Sequence, residues 1–101
     1  MKKYNKLVRD KIPEIIEKMG GKSVVHRANK EEYWKKLKEK LLEEIKEFFE
    51  KESEGEFADI LEVVDAIRIF KRFSNKKVLA IKGKKLKERG GFKKKIILEK
   101  S

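Results

Sequence analysis

The apolar residues recur at helical spacing in two long segments that are joined by a very short connection. The first segment begins after Asn29, which forms a capping pattern with Glu32, and extends to about residue 52. Its apolar positions step by three and four residues: Trp34, Leu37, Leu41, Ile45 and Phe48. The second segment begins after Ser53, where Glu56 repeats the capping pattern, and extends to about Phe73. Its expected core positions are Phe57, Ile60, Leu61, Val64 and Ile67. Because the connection is so short, the pattern predicts an antiparallel helix hairpin.

Two weaker helices are predicted on either side of this hairpin. The first begins after Asp10, tolerates Pro13 in its first turn and ends at Gly20–Gly21. The other covers residues 76–89 and ends at Gly90–Gly91. Four helices in one short chain predict an all-α domain. The apolar stripes of the hairpin are wide, so we expect a second subunit to complete the helical domain.

The remaining segments are short and contain no linker rich in proline, glycine or serine. Residues 22–27 are predicted to be an extended link. The tail from Phe92 to Leu98 has a high β propensity and is predicted to pair with that link. Residues 1–101 are therefore interpreted as one domain, with a short β-prone tail after the helices.

Composition excludes several classes of site. The 101 residues include no cysteine and a single histidine, His26, so thiolate chemistry and histidine metal clusters are excluded. No apolar run exceeds four residues, which argues against a membrane span and a signal peptide. We therefore expect a cytoplasmic protein that does not insert into membranes.

The net charge of +11 is distributed unevenly along the chain. Residues 1–30 have a balance of +6, residues 31–65 of −7 and residues 66–101 of +12. A nucleic-acid-binding protein can be this basic, but it gains little from an acidic centre. Basic flanks around acidic residues suit a site in which carboxylates hold divalent cations and basic residues hold phosphates. A hairpin with a solvated acidic face is the alternative.

The acidic residues of the hairpin form two patterns that we expect to face each other. Glu43, Glu44 and Glu47 make E-E-x-x-E on the first long helix, and the Glu44 edge touches the apolar stripe. Glu56 and Asp59 make E-x-x-D on the apolar face of the second helix. Glu47 and Asp59 each lie six residues from Ser53, so antiparallel packing predicts that they are side by side.

A second E-x-x-D pattern, Glu62 and Asp65, projects to the opposite side of its helix. One acidic pair is therefore expected to be buried and the other solvated. We find no lysine or arginine at the matching buried positions, and buried carboxylates are costly without a cation. An all-oxygen ligand set favours Mg²⁺, with Mn²⁺ as a second possibility.

Four segments together resemble a known family. They are K-L-V-R-D-K-I-P at 6–13, E-E-x-x-E at 43–47, E-F-A-D at 56–59 and E-R-G-G-F at 88–92. The chain is similar over nearly its whole length to the MazG-like all-α NTP pyrophosphohydrolase superfamily, and in particular to its small phosphoribosyl-ATP pyrophosphohydrolase-like branch. The spacer between the two acidic motifs is shorter than is usual in the superfamily, which leaves open the glutamates that reach the metal and whether Glu62 joins them.

The resemblance implies hydrolysis of a nucleoside triphosphate, or a related nucleotide, to the monophosphate and pyrophosphate. It also implies Mg²⁺ held by the acidic motifs in a homodimer or homotetramer. We assign Glu44, Glu47 and Asp59 as metal ligands. Glu43 or Glu56 completes the ligand set or acts as the base that orients and deprotonates water.

Three basic residues are candidates for binding the phosphates. Arg9 and Lys11 flank Asp10 just before the first helix, and Arg89 precedes the exposed backbone of Gly90–Gly91. The alternative for each is structural: surface charge and a helix cap for the first two, and a favourable cation at a helix end for Arg89.

Two other functions compete with hydrolysis. The net charge and the lysine-rich last third also fit a basic helical module that binds nucleic acid without catalysis. However, nucleic acid is the less favoured partner, because the chain has no recognised nucleic-acid-binding motif. A non-catalytic helical dimer is the third possibility, and the carboxylates on a buried face argue against it.

Overall fold

The computed structural model describes residues 2–101 and consists of four α-helices, with no strand in that range. They are α1 (Ile12–Lys18), α2 (Lys30–Glu50), α3 (Glu54–Phe70) and α4 (Asn75–Arg89). The all-α prediction is therefore confirmed. Among these helices, none is both long enough and apolar enough to span a membrane.

The predicted caps fix where the long helices begin. The side chain of Asn29 accepts a hydrogen bond from the Glu32 N–H at 2.9 Å, and that of Ser53 accepts one from the Glu56 N–H at 3.2 Å. Residues 51–53 alone separate α2 from α3. Helix α3 ends at Phe70, three residues before the predicted end, and Arg72 takes a left-handed φ of 58° just beyond it.

Helices α2 and α3 pack as an antiparallel hairpin, which aromatic contacts close at both ends. Next to the turn, the rings of Phe48 and Phe57 lie 5.7 Å apart. At the open end, the Phe70 ring stacks on that of Trp34 at 5.7 Å and meets Tyr33 edge-on at 5.3 Å. This pairing of the start of each helix with the end of the other sets the register that brings the acidic residues together.

The buried apolar residues of the hairpin differ in part from the prediction. Leu37 is 1% exposed and Val63 is 8% exposed, so these two side chains form the centre of the interface. Phe57, Leu61 and Val64, which we expected in the core, are 50%, 50% and 44% exposed. The prediction was wrong for these three residues because Val63, not Val64, is the valine of α3 that faces α2. Val64 follows it by one residue, or about 100° around the helix, and is therefore turned away from α2.

This orientation of α3 leaves an apolar surface on one side of the hairpin. At about 100° per residue, the most exposed apolar residues of α2 and the half-exposed ones of α3 fall on the same side of the hairpin. We call this surface the exposed apolar face: Leu42, Phe49, Phe57, Leu61 and Val64. The opposite side carries the acidic residues and is crossed by residues 2–10, which we call the N-terminal strap.

The last third of the chain stands away from the hairpin. Every residue from Lys71 to Ser101 is exposed, and the Cα radius of gyration is 18.0 Å, against about 13 Å for a compact chain of this length. Between Lys2 and Ser101 no strand forms, so the predicted pairing of the tail with residues 22–27 was wrong. Both segments are short and almost entirely exposed, so pairing them would bury too little surface to stabilise a sheet.

Candidate functional site

The hairpin brings carboxylates from both helices to one place. One carboxylate oxygen from each of Glu43, Glu44 and Glu47 lies within 4.8 Å of the others, and the same holds for Glu44, Glu56 and Asp59. Glu44 belongs to both groups and so links the acidic motif of α2 with that of α3. The facing arrangement predicted from spacing is therefore present, with Glu44 rather than Glu47 beside Asp59. We call these five residues the carboxylate cluster.

Glu44 is the buried member of this cluster. It is 7% exposed, and its Oε1 forms an ion pair with the Lys40 ammonium at 3.2 Å. Its other oxygen, Oε2, is buried without a hydrogen-bond partner, and so is Oε2 of Glu56. Buried carboxylate oxygens normally have partners, since an unsatisfied one costs free energy. Two such oxygens at one cluster indicate a place where a cation fits.

Crowding among the carboxylates changes the acidity of Glu47. Its pKa is raised above the ordinary value, first by desolvation and then by the negative charge of Glu44 and by a hydrogen bond with it. The charges of Glu43 and Glu56 raise it further. The neighbouring carboxylates therefore oppose the ionisation of Glu47, and an added positive charge would relieve that opposition.

The two E-x-x-D patterns differ as predicted. Glu56 and Asp59 are partly buried at the cluster, whereas Glu62 and Asp65 are exposed. Across residues 2–101, neither Glu62 nor Asp65 belongs to a group of acidic residues that could hold a metal ion. The structure therefore gives no support to a role for Glu62 in the site.

The expectation that no basic side chain reaches the buried carboxylates was wrong. Lys40 lies three and four residues before Glu43 and Glu44, so it shares their helix face and pairs with both. Arg9 of the N-terminal strap pairs with Asp59 at 2.6 Å, and Lys6 pairs with Glu43 at 3.1 Å. The i, i+4 spacing of Lys40 was a usable sequence signal.

The three predicted phosphate-binding residues lie in different parts of the fold. Arg9 lies at the cluster, in contact with Asp59. Lys11 is the exposed N-cap residue of α1, and it forms no ion pair within the described part of the chain. Arg89 is exposed at the C-terminal end of α4, which does not pack extensively on the hairpin. Of the three, the structure brings only Arg9 to the carboxylates, and the roles of Lys11 and Arg89 stay predictions.

The donor set and its size fit a hard divalent cation. All the candidate ligands are carboxylate oxygens, which Mg²⁺ and Mn²⁺ prefer. Two oxygens on opposite sides of Mg²⁺ are about 4.2 Å apart, given bond lengths of about 2.1 Å. The oxygens of Glu44, Glu56 and Asp59 lie within 4.8 Å of one another, so small side-chain movements would let them share one ion.

Comparison with known proteins identified no relative of this chain. No protein-family model, curated protein or solved structure matches the chain. The carboxylate cluster and the sequence motifs that form it are therefore the features that indicate a function.

The raised pKa of Glu47 predicts a pH dependence of stability without added metal. Between its ordinary pKa of 4.5 and its higher folded pKa, the folded state binds more protons than the unfolded state. Stability from this group is therefore present at low pH and is lost as pH rises through that window. We expect Glu47→Gln to remove this loss and to raise the melting temperature at neutral pH in a chelating buffer by a few degrees.

The measurement is a series of thermal melts followed by circular dichroism from pH 4 to pH 8. Glu62→Gln is the matched control, because it neutralises an exposed mid-helix glutamate outside the cluster. An unchanged pH slope in Glu47→Gln, or an equal change in both variants, would show that the crowding is not significant.

Proposed function

We propose that the protein hydrolyses a nucleoside triphosphate, or a related nucleotide, to the monophosphate and pyrophosphate in a reaction that depends on a divalent metal. The observation that carries this proposal is the buried, unpartnered Oε2 of Glu44 in a cluster with Glu56 and Asp59. The motifs of the chain, which resemble those of the MazG-like pyrophosphohydrolases, supply the reaction class.

In this proposal Glu44, Glu47 and Asp59 hold the cation. A bound Mg²⁺ or Mn²⁺ would neutralise charge on the triphosphate and make a nearby water more acidic. Glu56 is the better candidate for the base, because one of its oxygens has no partner. Glu43 is less suited, because Lys6 and Lys40 both pair with its Oε1.

The proposed reaction is a displacement at the α-phosphorus. The oxygen of water forms a bond to that phosphorus while the bond to the bridging oxygen breaks, and pyrophosphate leaves. The proton lost by water passes to the carboxylate of Glu56, which lies between α2 and α3. Arg9, Lys11 and Arg89 are proposed to bind the phosphate oxygens, and Arg9 has the strongest support because it already lies at the cluster.

One feature favours the competing function of nucleic-acid binding. The basic side chains of α4 are all exposed. Lys84 forms an ion pair with Glu88 of the same helix at 3.8 Å. A basic helix of this kind can attract phosphates without reading a base sequence. Binding of RNA or DNA that falls steeply with salt and needs no metal would favour this function over hydrolysis.

We also propose that the protein is a homodimer or homotetramer. The exposed apolar face includes Leu42 and Phe49, which are 68% and 69% exposed, together with three half-exposed residues of α3. A contiguous apolar surface of this kind is typical of an interface. A second copy of the hairpin is the proposed partner, because it offers the same apolar surface around a two-fold axis.

The oligomer prediction is tested by light scattering at micromolar concentration. We expect a mass of at least twice the 12.0 kDa of one chain. Leu61→Glu should shift the protein toward the monomer, since it places a charge in the apolar interface. Val25→Glu, which changes an exposed residue outside the hairpin, should leave the mass unchanged. A wild-type monomer would contradict the proposal.

The sharpest test of the function compares the two E-x-x-D patterns. Asp59→Asn should lower kcat/KM for Mg²⁺-dependent pyrophosphate release by more than about 100-fold, because it removes a proposed metal ligand. Its melting temperature without metal should change by no more than a few degrees, because it loses a half-exposed ion pair but also relieves repulsion. Asp65→Asn should keep turnover within a few-fold.

The substrates for this test are the common nucleoside triphosphates and their deoxy forms, assayed with Mg²⁺ and with Mn²⁺. Full activity in Asp59→Asn would show that the site is assigned wrongly. No hydrolysis of any nucleotide by the folded wild-type protein would instead favour a non-catalytic helical dimer.

A further inference from the structure

The N-terminal strap is attached to the acidic side of the hairpin by its own basic and backbone groups. It contacts both long helices, although it has no regular secondary structure of its own. The contacts are Lys36 Nζ to the Asn5 carbonyl oxygen at 2.6 Å, Lys6 Nζ to Glu43 Oε1 at 3.1 Å and Arg9 Nη2 to Asp59 Oδ1 at 2.6 Å. Asn5 has a left-handed φ of 47°, so the strap turns immediately before Lys6.

The strap adds positive charge where the carboxylates are crowded. Lys6 and Arg9 contribute one charge each to the cluster, beside the charge of Lys40. Such charges lower the repulsion that Glu43, Glu44 and Asp59 would otherwise impose on the hairpin. A divalent cation would supply the same neutralisation, so the strap and the cation have overlapping electrostatic roles.

Arg9 is the most exchangeable of these cations. Its side chain is 56% exposed and that of Asp59 is 39% exposed, so the pair is screened by water and its net free energy is small. Lys40 is different: its side chain is 15% exposed, and it belongs to the same helix as its partners. Arg9 can move with the strap while α2 and α3 stay packed.

We propose that Arg9 is an internal counter-ion of the carboxylate cluster, which competes with a divalent cation for Asp59. This inference depends on the proposed metal site. When a cation binds, the Arg9 guanidinium leaves Asp59, and its planar set of N–H donors becomes free for an anionic ligand such as a phosphate. Arg9 is thus a positioning residue that couples metal binding to the strap, and Lys6 has the same effect on Glu43 to a smaller extent.

The test is isothermal titration calorimetry of Mn²⁺ and of Mg²⁺ into the full chain, with no nucleotide present. Arg9→Gln should lower the Kd for Mn²⁺ by about two- to five-fold, which corresponds to the loss of an exposed ion pair that competes with the metal. Arg9→Lys should return the Kd toward the wild-type value, because it restores the charge. Lys22→Gln is the matched control, since it removes an exposed charge that lies outside the strap and the cluster and has no partner within residues 2–101, and it should leave the Kd unchanged.

The outcomes separate this inference from the proposed function. Equal Mn²⁺ affinity in the wild type, Arg9→Gln and Lys22→Gln would overturn the counter-ion role while leaving the metal site intact. Equal increases in affinity for the two glutamine variants would also overturn it, because they would indicate a general effect of net charge. If none of the folded proteins binds Mn²⁺, both the metal site and the counter-ion role are wrong.

Discussion

Glu44 places a buried carboxylate in the interface between α2 and α3. Leu37 and Val63 hold α2 against α3, and the same packing places Glu44 where it is 7% exposed. A carboxylate in such a place destabilises the fold unless positive charge accompanies it. Lys40 supplies part of that charge, at 3.2 Å from one oxygen, and leaves the other oxygen without a partner. The acidic motif of α3 lies beside the Glu44 carboxylate, and the N-terminal strap pairs with the neighbouring carboxylates of Glu43 and Asp59.

The hairpin therefore has an acidic side and an apolar side, and we propose a different function for each. One side carries the carboxylate cluster and is crossed by the N-terminal strap, and it is the side that we propose binds a cation and phosphates. The other side is the exposed apolar face, whose chemistry is that of helix packing. Because the two surfaces do not overlap, a second copy could cover the apolar face without blocking the approach of a nucleotide to the carboxylates.

Local sequence signals were sufficient for the helices and for much of the site. The capping residues Asn29 and Ser53 predicted where α2 and α3 begin, since each cap depends on a partner only three residues away. Helical periodicity also separated the partly buried Asp59 from the exposed Asp65, because the two lie on different faces of α3. The chemistry that these positions would perform is not a local property, and it stays a prediction.

The features that the sequence could not predict depend on fine rotation or on distant contacts. Val63 and Val64 are adjacent and equally apolar, so periodicity alone could not decide which of them packs against α2. The pair between Arg9 and Asp59 joins residues 50 positions apart, and no helical spacing indicates it. The tail from Phe92 has β propensity but finds no partner, which shows how strongly strand formation depends on a surface to pack on.

Anomalous diffraction would show directly whether the carboxylate cluster binds a divalent cation. Crystals of the wild-type protein grown with Mn²⁺ would be measured at wavelengths on either side of the manganese absorption edge. We expect an anomalous peak between α2 and α3, within bonding distance of carboxylate oxygens of Glu44 and Asp59. A well-ordered cluster without such a peak, or manganese bound only at Glu62, Asp65 or other exposed carboxylates, would contradict it.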